Sequence, residues 1–204
     1  MTGARMHAAE RRAALLDTAC SVFSRHSYRG TTTKEIAHEA GITEPILYRH
    51  FPSKRDLYLA CLEEAWARVQ ALWDRALADE PDPGAWLRAI GLAYLAAKDK
   101  RARLADLWMQ AFAVASEDAE IRRFLRRQIR DVHAYVVAVV ERAQREGAVV
   151  AERDASAEAW LFMAIGLLGT IDRRLGLLDG DLDRILRARR EWMTGAGGSA
   201  EPQA

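Results

Sequence analysis

The 24 residues from Thr31 to Lys54, TTTKEIAHEAGITEPILYRHFPSK, hold two helical stretches too short to persist alone, each with its own start and stop signals. Thr32 with Glu35 three residues on spells a capping box, which opens a short helix running to about Ala40. Gly41 suits the left-handed residue that ends such a helix. A second short helix follows to about His50, and Pro52 cannot continue it. Pro45 falls in its first turn, where a missing N–H costs little and the fixed φ suits a helix. Thr43 and Glu44 compete for the cap. Ile36, Ala40, Ile42 and Leu47 can share one core, and Ala37 sits where the two helices must cross closely. The first helix and the start of the fourth have to complete a three-helix core, with Cys20 and Phe23 available to join it.

The rest of the chain is read as helical too. No convincing alternating strand pattern appears in the 204 residues. Leu15, Leu16, Ala19, Val22 and Phe23 form a stripe on a first helix from about Ala8 to His26, which SYRG interrupts. Ser53 and Asp56 form a second capping box, opening a long helix to about Leu77. Further helices are expected near 84–98, 101–115, 118–146, 155–178 and 181–193. The expectation is an all-α chain with a helix-turn-helix unit over 1–55, a helical body over 56–193 and a disordered tail over 194–204. Charge divides along the same line. Residues 1–55 carry nine Lys/Arg against five Asp/Glu and four of the five histidines, whereas the remainder is net −3 and holds all six tryptophans. A basic head and an aromatic body suggest two tasks.

The spacing TT-x-x-IA-x-x-AG followed by LY-x-HF-x-SK-x-x-L resembles the DNA-binding domain of the TetR family of bacterial transcriptional repressors, over roughly residues 8–62. The resemblance implies double-stranded operator DNA as a partner. Thr33, Tyr48, His50 and Lys54 match positions that contact backbone phosphates, with Lys54 in the first turn of the fourth helix, where free N–H groups favour anions. Such contacts position a protein and carry little sequence information. Base reading then falls to Thr43, Glu44, Pro45, Ile46 and Arg49. Arginine can bind guanine through two hydrogen bonds, Glu44 can accept from a cytosine amino group, and Pro45 and Ile46 can rest on thymine methyls. Plain alternatives stay open: Tyr48 as a core plug, Arg49 on phosphate alone, Glu44 pointing to solvent.

One such unit is too small for tight recognition, and the family binds as a homodimer with its reading helices in successive major grooves. The interface is expected on the 155–178 helix with 181–193, through Ala159, Phe162, Gly166 and Gly169. An effector pocket of the family's kind would draw on Trp66, Gln70, Trp73, Tyr94, Trp108, Phe112, His133 and Trp160, and would suit a bulky apolar or aromatic molecule. IRRFLRRQIR places five arginines between 122 and 130, but Ile121, Phe124, Leu125, Ile129 and Val132 supply a buried stripe. The arginines then read as a solvated face.

Other classes find little support. Cys20 and Cys61 stand alone, without CxxC or His/Cys spacing, and read as reduced buried thiols. No cofactor or metal set and no catalytic motif is found, so an enzyme is not expected. The N-terminus lacks a signal-peptide core. The longest nearly apolar run, 13 residues from Ala159, is short for a membrane span. The expected function is a cytoplasmic, ligand-released repressor acting as a dimer on a palindromic operator. The alternative is a DNA-binding activator or architectural protein that takes no small ligand.

Overall fold

In a computed structural model the described residues are 3–95 and 102–195. They form α1 (Gly3–Arg25), α2 (Thr33–Glu39), α3 (Glu44–His50), α4 (Lys54–Asp79), α5 (Trp86–Leu95), α6 (Ala102–Ala115), α7 (Ala119–Arg145), α8 (Ala155–Leu175) and α9 (Asp181–Thr194), with a 3₁₀ turn at Pro83–Ala85. No strand occurs among the described residues. The chain is all-α, with an N-terminal helix-turn-helix unit and a C-terminal helical domain.

The local signals explain the boundaries. Thr32 Oγ accepts from the Glu35 N–H at 3.2 Å, and the Glu35 carboxylate accepts from the Thr32 N–H at 2.8 Å, closing the capping box. At the other end of α2, the Gly41 N–H donates to the His38 carbonyl and the Ile42 N–H to the Ala37 carbonyl. This paired closure needs a left-handed residue, which Gly41 supplies at φ +66°. Thr43 caps α3 with extended backbone and no side-chain bond, leaving Pro45 in the first turn. Phe51 ends α3 with extended backbone, as the following Pro52 requires. Ser53 Oγ accepts from the Asp56 N–H at 3.1 Å and starts α4. Asp154 does the same for α8, accepting from the Ser156 and Ala157 N–H groups.

Some helix ends depart from expectation. α8 stops at Leu175 rather than 178, because Gly176 turns left-handed at φ +59° and returns its N–H to the Asp172 carbonyl. Residues 96–98, expected in the fifth helix, Arg101, expected to open the sixth, and 196–204 of the expected tail lie outside the described residues.

Two compact units result, one of residues 1–68 with 98–128, the other of 69–97 with 129–204. The first unit has a core of Leu15, Leu16, Ala19, Cys20, Val22 and Phe23 from α1, Ile36 and Ala37 from α2, Leu47 from α3 and Leu57, Tyr58, Cys61 and Leu62 from α4. Leu107 and Ala111 of α6 and Ile121 and Leu125 of α7 extend the same core, so more than three helices close it. Tyr58 sits edge-on to Phe23 at 5.0 Å and hydrogen-bonds the Leu107 carbonyl at 3.3 Å. Burial pushes the Tyr58 hydroxyl pKa upward, which keeps it a neutral donor. Gln128 ties α7 to the Leu62 carbonyl at 2.9 Å. Cys20 and Cys61 are both buried and free, and burial raises the Cys61 thiol pKa, so a nucleophilic thiolate is disfavoured.

The second unit centres on Trp73, Trp86, Ile90, Val132, Val136, Val139, Val140, Ala159 and Met193. Glu158 of α8 is buried and ion-paired with Arg189 of α9. α8, at 21 residues, has the length and apolar content to cross a bilayer. One face of it, with the buried Glu158 paired to Arg189 and Gly169 against Leu95 and Leu182, packs on α5 and α9. The five α7 arginines lie exposed beside the buried Ile121, Leu125 and Val132 stripe, as a solvated face.

The turn at Gly41 supplies a clean test. A Cβ there would meet nothing within 4 Å, so a side chain would cost only the left-handed backbone. Gly41→Val is expected to lower the unfolding free energy by about 1–2 kcal/mol, and Gly41→Asn by less. The shift in urea midpoint at constant slope measures both.

Candidate nucleic-acid interface

α3 is held by a single anchor. Leu47 is its one buried residue, fully enclosed by the first unit's core, while the rest of the helix reaches the surface. Burying a leucine contributes about 1.5–3 kcal/mol, more than a helix this short can supply by itself. Pro45, Ile46, Tyr48 and Arg49 are exposed, Ile46 at 39% and Tyr48 at 44%. Thr43 is exposed at the start of the helix, and His50 is half-buried at its end. An exposed isoleucine and tyrosine on one short helix with a proline and an arginine make a mixed apolar and cationic surface. That mixture suits a groove edged by bases and phosphates.

Three of the expected residues are bonded to one another. Thr33, buried at the start of α2, donates its hydroxyl to the Glu44 carboxylate of α3. The same Thr33 oxygen lies 3.1 Å from the Tyr48 hydroxyl. Glu44 therefore reaches sideways to α2 rather than capping its own helix, whose Pro45 offers no N–H.

Lys54 opens α4 with its ammonium 4.6 Å from the centre of the Tyr28 ring. Burial lowers the Lys54 pKa, and the nearby Glu35 carboxylate partly opposes this. Tyr28 in turn packs on Tyr58 at 4.7 Å, linking the lysine's support to the core. Arg12 of α1 stands over Phe51, 4.8 Å from its ring centre, at the end of α3. Arg55 pairs with Asp118 at 3.0 Å and with Glu120, holding the start of α4 to the start of α7. Tyr28, Arg12 and Arg55 escaped sequence reading. A tyrosine inside the SYRG break was a usable signal; Arg12 and Arg55 gave none, because their partners are distant in sequence.

The residues expected around an effector divide between the units. Trp66, Trp108 and Phe112 belong to the first, with Trp108 edge-on to Phe112 at 6.2 Å. Gln70, Trp73, Tyr94, His133 and Trp160 belong to the second. There Trp73 is buried against Tyr135 at 5.5 Å and Phe162 at 5.8 Å, and Tyr135 donates to the Asp74 carboxylate at 2.6 Å. Burial raises the Tyr135 pKa, and Asp74 raises it further. His133 stacks on Trp160 with ring centres 4.3 Å apart. Its Nε2 is 3.0 Å from the Ser156 carbonyl, an acceptor only, which requires the proton on that nitrogen. Gln70 and Tyr94 are half-buried. Tyr135, Asp74 and Phe162 were not expected in this neighbourhood.

The structure turns most of the expected interface set inward. Ala159 and Gly169 are buried, a Cβ on Gly169 would come within 2.8 Å of the Leu95 side chain, and Phe162 packs on Trp73. A Cβ added at Gly166 would meet nothing within 4 Å. At 100° per residue, the opposite face of α8 carries Trp160, Leu161, Leu167 and Leu175, which are 43–72% exposed. Trp192 of α9 is exposed as well. α8 carries apolar residues on more than one side, and sequence alone does not say which side faces inward.

Comparison with known proteins gives these features a setting. Residues 15–61 match the family model of bacterial regulatory proteins, tetR family, and residues 83–166 match that of the BetI-type transcriptional repressor C-terminal region. The chain is 46% identical over 61 residues to the HTH-type transcriptional activator FasR of Mycolicibacterium smegmatis, covering 30% of this chain and 28% of that one. It is 27% identical over 169 residues to the HTH-type transcriptional repressor BepR of Brucella suis, covering 81% of each. Salmonella enterica GusR has the same fold, with a TM-score of 0.76 at 20% identity over 91% of this chain and 96% of that one. Two matched models, one on the helix-turn-helix unit and one on the helical body, lead to one conclusion: the chain belongs to the TetR family of bacterial transcriptional regulators.

Proposed function

We propose that this protein is a cytoplasmic transcriptional repressor that binds a palindromic operator as a homodimer and releases it when a small effector binds the helical body. The observation that carries the DNA-binding part is the exposure of α3, fixed through Leu47 with Pro45, Ile46, Tyr48 and Arg49 outward. In this reading Thr33, Tyr48, His50 and Lys54 hold backbone phosphates, and Thr43, Glu44, Pro45, Ile46 and Arg49 face the base edges. The functional division is a DNA-binding domain over 1–55 and a dimerisation and effector domain over 56–193.

Dimerisation is assigned to the exposed face of α8, Trp160, Leu161, Leu167 and Leu175, with Trp192 of α9. Several large apolar side chains left exposed on one helix face support reading it as a contact site. An isologous pair through it would also supply the two-fold symmetry that a palindrome requires. The effector is read as a bulky apolar or aromatic molecule, supported by the gathering of Trp73, Tyr135 and Phe162 in the second unit. It can release DNA only through a difference in its affinity for the two states of the dimer.

Three measurements bear on this reading. Genomic fragments captured by the protein and sequenced should share a palindrome with half-sites about 10 base pairs apart or a multiple of that; absence of any shared palindrome would sink the symmetric-dimer mechanism. Lys54→Ala should weaken binding about equally on all sequences and, with one Lys54 lost from each protomer, reduce the slope of log affinity against log salt by about two. A double substitution, Leu161→Glu with Leu167→Glu, should shift the sedimentation-equilibrium mass from dimer to monomer while leaving the helical circular dichroism intact.

A further inference from the structure

The bonds among Thr33, Glu44 and Tyr48 run in one direction. Thr33 commits its single hydroxyl proton to the Glu44 carboxylate, which can only accept. The Tyr48 hydroxyl, 3.1 Å from the Thr33 oxygen, must then be the donor to it. Neither hydroxyl has a proton left for a phosphate. Yet these are the two hydroxyls that the DNA-binding reading gives to the backbone. Glu44 is free to reach them because its own helix asks nothing of it: Thr43 is the cap and Pro45 has no N–H. Thr33 is only 8% exposed, so it is reached chiefly through Tyr48, which is 44% exposed.

We propose that Glu44 is a built-in stand-in for a backbone phosphate. In the DNA-free protein its carboxylate occupies the hydroxyl pair that a phosphate would otherwise take. Engagement of DNA displaces it: Tyr48 turns its proton to the phosphate, and the freed carboxylate moves to the groove. There it gains a partner only where a base presents a donor, such as the amino group of cytosine. Elsewhere it is left beside phosphates of like charge. A contact that is ordinarily indifferent to sequence thereby becomes conditional on a base. The acidic residue on a basic surface acts as a filter against wrong sites.

This inference rests on the DNA-binding reading, and its test uses duplex of arbitrary sequence, about three helical turns long. Fluorescence anisotropy would compare the wild-type dimer with E44A, E44Q, the hydroxyl-free T33V/Y48F and the triple variant T33V/Y48F/E44A. E44A is expected to tighten binding to this duplex about tenfold, with a salt slope steeper by about two because each protomer loses one carboxylate. E44Q, which keeps an acceptor but loses the charge, should fall between E44A and wild type. In the T33V/Y48F background, E44A should gain clearly less than in the wild type, because only the like-charge repulsion remains and there is no hydroxyl pair left to release. An equal gain in both backgrounds would reduce Glu44 to a bare charge and overturn the proposal. Weaker binding by E44A would make it a strut between α2 and α3, and would overturn it too. If the wild type fails to bind the duplex even at low salt, the DNA-binding reading itself falls; wild-type binding without the coupling removes this inference alone. Melting curves for each variant separate loss of fold from loss of contact.

Discussion

The burial of Leu47 and Ile36 against Phe23 and Tyr58 is the interaction on which the N-terminal unit depends. Helices of seven residues, as α2 and α3 both are, lie well below the length at which a helix persists in water. Their order comes from the core, and the core comes from helices remote in sequence. Tyr58 illustrates the arrangement: it belongs to α4, packs on Phe23 of α1 and bonds to the backbone of α6. The surface of α3 is therefore presented by a scaffold that reaches to residue 128. An anchor of one leucine is enough because nearly all its cost is borne by that scaffold.

The second unit follows a different pattern. Two of its helices, α7 and α8, are long, and their buried faces are filled by aromatic and valine packing. Phe162 lies against Trp73 and beside Gly91, while Trp160, two residues earlier, stacks on His133 and stays half exposed. The pair of buried Glu158 with the half-buried Arg189 ties α8 to α9. Removing one partner of such a pair leaves an uncompensated buried charge, which is far costlier than losing both. That cost gives the two helices a defined pairing even though each carries apolar residues on more than one side.

How much could be read beforehand depended on the range of the interaction involved. The two capping boxes, the stop at Gly41 and the start at Pro45 were legible, since each works through bonds spanning three to six residues. The solvated arginine face of α7 was legible as well, because helical periodicity fixes which residues share a side. The inward turn of Ala159 and Gly169 was not. α8 is apolar on both faces, and the choice between them is made by Leu95 and Trp73 on other helices. The bond from Thr33 to Glu44 crosses eleven positions and two helices, and no local pattern announces it.

The sequence by itself determined the helical class, the helix-turn-helix and the family it signals, because these rest on short-range stereochemistry: a β-free periodicity, a left-handed glycine, a proline placed where its missing N–H is harmless. Only the tertiary structure decided what Glu44 touches, which side of α8 is left uncovered and that α6 and α7 complete the N-terminal core. Those outcomes are set by side chains brought together from distant parts of the chain. Their geometry follows from packing, for which the order of residues gives composition but not direction.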